Sequence, residues 1–84
     1  MNPTLNTTDI YFTAYLITHK ILPQTIILEG KQHHKKVIFQ FFRDQSVESL
    51  EQKFKTGTAT TNIQAFKGSM EFAKDLMFAK LREA

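Results

Sequence analysis

Cysteine is absent from all 84 residues. Its absence excludes a disulfide framework and any thiolate metal site, and argues against a small secreted scaffold. Glycine is scarce as well: Gly30, Gly57 and Gly68 stand alone, and none belongs to the glycine-rich loop that cradles a phosphate. No stretch nears the roughly 18 apolar residues of a membrane span. The polar start, Met1 to Asp9, lacks the cationic and apolar regions of a signal peptide. Together these absences predict a soluble, cytoplasmic protein that makes no membrane contact.

Aromatic side chains are plentiful: the chain has 8 Phe and 2 Tyr. A domain of this size buries only about 60% of the surface that its unfolded chain exposes. Each ring can bury on the order of 150–250 Å², so the rings must supply much of the core. The formal charge of +3 and the pI near 9.3 are mildly basic and permit an acidic partner, but the placement of the cations says more. Lys31, Lys35 and Lys36 fall within six residues of one another, whereas the later lysines alternate with acidic residues.

Periodicity predicts an α+β domain of one unit over residues 7–84, preceded by a flexible tail over 1–6. Thr7 or Thr8 can cap a first helix over Asp9–His19, whose Ile10, Ala14 and Ile17 share a face widened by Tyr11 and Leu16. Pro23 disfavours helical backbone at Leu22 and turns the chain into an extended segment, Gln24–Glu29. A turn led by Gly30 then gives way to a second strand, Lys35–Phe42. Val37, Phe39 and Phe41 lie on one of its faces, with Ile38, Gln40 and Phe42 on the other. Ser46 is a candidate cap for a second helix carrying Val47, Leu50 and Phe54, with Gly57 as its stop. Asn62 opens a third helix to about Leu81. Its stripe of Ile63, Phe66, Met70, Ala73, Met77 and Leu81 is extended sideways by Phe72, Leu76 and Phe78. The expected order is helix, strand, strand, helix, helix, with the antiparallel hairpin packed against the helices.

Along these residues the chain resembles a small bacterial and phage-associated family known only as a domain of unknown function. The resemblance covers about residues 7–80. It rests on the helix start Thr8-Asp9-Ile10-Tyr11, on Ala14 and Leu16, and on Phe39-Gln40-Phe41 followed by Asp44. It supports the fold and implies no activity.

The candidate chemistry is sparse. His33 and His34 are neighbours on an extended ribbon, point to opposite faces and lack the carboxylates that would complete a metal shell. His19, near a helix end, suits a capping role. Ser46, Ser49 and Ser69 sit in contexts of caps or helix surface, so no nucleophile, base and orienting acid can be assembled. No enzyme, metal or cofactor is expected.

Two interaction surfaces remain. One is the hairpin tip, Lys31, His33, His34, Lys35 and Lys36, assisted by Arg43, which could meet nucleic acid phosphates without base specificity. The other is the apolar excess of the third helix, Met70, Met77, Phe78 and Leu81, together with open strand edges. Phe39 and Phe41 superficially resemble the stacking pair of an RNA-binding sheet, but Phe is a core residue by preference. The expected function is a protein-interaction module, such as a subunit, adaptor or phage-type inhibitor. It would bind a protein partner or a second copy of itself as a homodimer and present a basic tip to an acidic surface. Non-specific nucleic-acid binding through that tip is the alternative.

Overall fold

Lys36–Phe42 forms the central strand because its apolar side chains alternate. Val37, Phe39 and Phe41 are 7, 1 and 0% exposed, while Ile38 and Phe42 point to the opposite face. The computed structural model describes residues 3–31 and 34–83. Within them the elements run β1 (Thr4–Thr7), α1 (Ile10–Thr18), β2 (Thr25–Glu29), β3 (Lys36–Phe42), α2 (Gln45–Thr56) and α3 (Ile63–Arg82). Both β1 and β2 pair antiparallel with β3, giving the order β1-β3-β2. β1 and β2 therefore run parallel to each other, with α1 as the crossover and β3 inserted between them, which is a split βαβ unit. The α+β class and the hairpin packed on helices are as the periodicity implied.

The sheet has one strand more than the sequence suggested. Thr4–Thr7 is a paired strand rather than part of a flexible tail: Leu5 lies opposite Phe41 and is 3% exposed, and the Arg43 amide donates to the Pro3 carbonyl at 2.6 Å. A four-residue segment with a single apolar side chain carries no readable alternation. Its pairing comes from β3, whose outer side needs a partner.

Helix α1 begins one residue later than expected and is capped differently. The Asp9 carboxylate accepts from the amides of Tyr11 (2.9 Å) and Phe12 (3.2 Å), while the Thr7 hydroxyl accepts from the Asp9 amide. Its buried face also differs. Tyr11 is 60% exposed, and the five successive residues Phe12 to Leu16 are buried. Burial of that width arises because α1 packs against the sheet, α2 and α3 at once, as an uncharged helix that is apolar all round should. Against α3 the contact is made by small residues: Ala14 and Ala73 are fully buried. Beside them the Thr18 hydroxyl donates to the Ala14 carbonyl and meets the Ser69 hydroxyl at 2.9 Å.

Asp44, not Ser46, caps α2, its carboxylate accepting from the Val47 amide at 2.8 Å. Gly57 ends that helix in the left-handed conformation (φ 76°), which glycine adopts without a Cβ penalty. Asn62 caps α3 through the Ala65 amide. Val47 of α2 is buried in the same core, and Leu50 and Phe54 pack against it. The Phe54 ring lies 5.1 Å from Phe12 and 5.7 Å from Tyr15. All three helices thus lie on one side of the sheet. The domain is a two-layer slab of 37 × 35 × 19 Å, its thickness that of one sheet and one helix layer.

Candidate interaction surfaces

With every helix on one side, the second face of the sheet is left open. It displays the cross-strand pair Ile27 and Ile38, with Ile27 36% and Phe42 56% exposed. The polar row Asn6, Gln40 and Thr25 crosses the face between that pair and Phe42. The charges on this face are Glu29 and Lys36, which pair across the hairpin at 3.6 Å. Apolar side chains interleaved with uncharged polar ones suit the core of an interface, where charged residues are depleted. The chain exposes 5925 Å², whereas a folded monomer of its mass exposes about 5,100 Å².

The hairpin tip is built on Gly30, whose φ of 108° is open to glycine and strained for other residues. A Cβ there would run into the His34 carbonyl. Beyond it the His34 amide donates to the Lys31 carbonyl at 2.6 Å. Lys31, His34 and Lys35 are exposed. No acidic group lies within ion-pair distance of Lys31 or Lys35 among the described residues, while Lys36 is bonded to Glu29. His33 lies outside the described residues. Arg43 is not brought to the tip. It stands seven residues along β3 from Lys36, about 23 Å at ~3.3 Å per residue, and its guanidinium donates to Glu51 at 3.1 Å. Glu51 also holds Lys55 at 3.4 Å. Phe39 and Phe41 are core and unavailable for stacking.

The apolar excess of α3 divides. Met77 and Leu81 pack, partly buried, against the core, and Met70 is half-buried. Phe72 and Phe78 are 44 and 49% exposed, but six residues at about 100° each place them some 120° apart around the helix. Because Met77 and Leu81 face the core and Met70 is half-buried, Met70, Met77, Phe78 and Leu81 do not present one exposed patch. The open sheet face bears no described helix, and the sequence concealed it only by leaving undecided which side of β3 packs inward.

Two clefts flank α2. One, about 300 Å³, lies between β1 and α2 over Leu5, Phe12 and Phe54, with Asp9, Glu51 and Lys55 at its rim. The other, about 600 Å³, brings His19, Ser46 and Ser49 to a common wall. Among the described residues no hydrogen bond joins the His19 imidazole to either hydroxyl. Its ring stands edge-on to Tyr15 at 4.8 Å, while its backbone amide caps α1. The described residues hold no cluster of three metal-ligating side chains, and no described helix is long and apolar enough to cross a membrane. No family model, curated protein or solved structure matches this chain.

Proposed function

We propose that this chain is a non-enzymatic protein-interaction module, a subunit or adaptor that docks through the open face of its sheet. The observation that carries the reading is the uncovered apolar side chains of Ile27, Ile38 and Phe42, on a face low in net charge and free of any described helix. The partner is a protein, a second copy of the chain included. Association driven by such a face is largely insensitive to salt.

The tip supports a secondary contact with an acidic surface, since Lys31 and Lys35 are exposed cations without ion-pair partners among the described residues. Nucleic acid is the competing ligand there, and its binding must weaken steeply with salt. Light scattering at low and high salt, with and without a short mixed-sequence DNA or RNA, separates the two. A salt-stable mass above that of the monomer, lost in Phe42→Ser, is the expected result. A monomer that gains mass only with nucleic acid and only at low salt would overturn the reading.

A further inference from the structure

A second site, independent of the open sheet face, lies at the outer edge of β1. The Arg43 amide donates to the Pro3 carbonyl, which marks Pro3 and Arg43 as a hydrogen-bonded pair. Along an antiparallel ladder such pairs alternate with pairs that are not hydrogen-bonded. Leu5 opposite Phe41 and Thr7 opposite Phe39 therefore direct their backbone groups toward β3. Asn6, between them, directs its amide and carbonyl away from the sheet. Residues 5–7 form one wall of the 300 Å³ cleft, and Glu51, Phe54 and Lys55 of α2 form the other. The floor between these walls is aromatic: Phe12 is 6% exposed, and the half-buried Phe54 lies over it. At the rim, Glu51 is already bonded to Arg43 and Lys55 and Asp9 adds a second carboxylate, so two negative and two positive charges balance locally.

We infer that this groove takes an extended, uncharged peptide segment of a partner protein, which adds to β1 as a fourth strand and seats an apolar side chain against the paired rings of Phe12 and Phe54. The complementarity is specific to peptide: an outward amide and carbonyl on one strand are matched by the amide and carbonyl of another. The floor accepts the side chain that points toward the helix layer. The balanced rim charges give no advantage to an acidic or basic segment. Among the described residues no segment of the chain fills this position: after α2 the chain continues into α3, which packs on α1 and the β2 side of the slab.

The test titrates the full-length chain with three capped nine-residue peptides of alternating threonine and an apolar residue, the apolar residue being valine, leucine or phenylalanine. Amide shifts and hydrogen exchange are followed residue by residue. Binding should shift Leu5, Asn6, Thr7 and Phe54 and slow exchange at the Asn6 amide at least tenfold, with Ile27, Ile38 and Phe42 unmoved. Methylating the peptide nitrogens along one edge should abolish the effect without touching the protein. Asn6→Pro should weaken binding at least tenfold while leaving the β1–β3 ladder intact, because proline is tolerated where a strand amide faces solvent. No shift at millimolar concentration with any of the three peptides would overturn the proposal. So would shifts confined to the sheet face, which would leave the proposed docking face standing. Protection at Asn6 that appears with protein concentration alone would assign the edge to a second copy instead.

Discussion

Phe41 and Phe42 are adjacent, identical in chemistry and on opposite sides of one strand, so replacing each in turn tests the orientation of the whole sheet. Phe41 is fully buried, and Phe41→Ala should cost about 3–5 kcal/mol through lost transfer energy and the cavity left behind. An 84-residue domain has about 4–13 kcal/mol in total, so the variant should lose about 12 °C or more in Tm or fail to fold. Phe42 is 56% exposed. Less than half of its roughly 200 Å² leaves water on folding, so Phe42→Ser should cost at most about 2 kcal/mol. Urea unfolding of both variants, followed by circular dichroism in dilute solution, measures the difference. Equal losses at low protein concentration would refute the assignment of faces. A Phe42→Ser penalty that appears only as wild-type concentration rises would instead report the face at work in association.

Gly30→Ala should lose about 1–3 kcal/mol, because its positive φ is strained for alanine and its Cβ meets the His34 backbone. Gly57→Ala meets no neighbouring atom and should lose only about 1–2 kcal/mol; the ranking of the two denaturation midpoints checks this. Asp9→Ala removes the acceptor for two free amides of α1 and should cost about 0.5–2 kcal/mol, with Asp9→Asn recovering most of it. Ala73→Leu should cost about 1–3 kcal/mol or more by forcing α1 and α3 apart, seen as a lower midpoint with unchanged helix content. Replacing Lys31 and Lys35 together by Gln should leave stability within about 0.5 kcal/mol and leave high-salt association unchanged. Loss of association at high salt would transfer the function to the tip.

Much of the candidate surface was legible only in part. The turn at Gly30, the lysines beside it, the stop at Gly57 and the cap at Asn62 follow from backbone chemistry that acts within a few residues. Phe12 and Tyr15 escaped a reading based on one helical face, although the uncharged run Ile10–Thr18 was a signal of burial on several sides. Arg43 was grouped with the tip through its charge alone, and strand length then carried it to the other end of the sheet, beside Glu51. Met77 and Leu81 could be recognised as apolar at helical spacing. Whether such a stripe faces a core or a partner depends on what stands opposite it.

By itself the sequence determined the class of the fold, the hairpin, the stop at Gly57 and the start at Asn62, because period and left-handed glycines are properties of neighbouring residues. Only the tertiary structure decided that Thr4–Thr7 is a strand, that Val37, Phe39 and Phe41 point inward and that all three helices gather on one side. Each of those choices is made by contacts between residues far apart in the chain. A strand whose two faces are both apolar specifies neither until something packs against one of them.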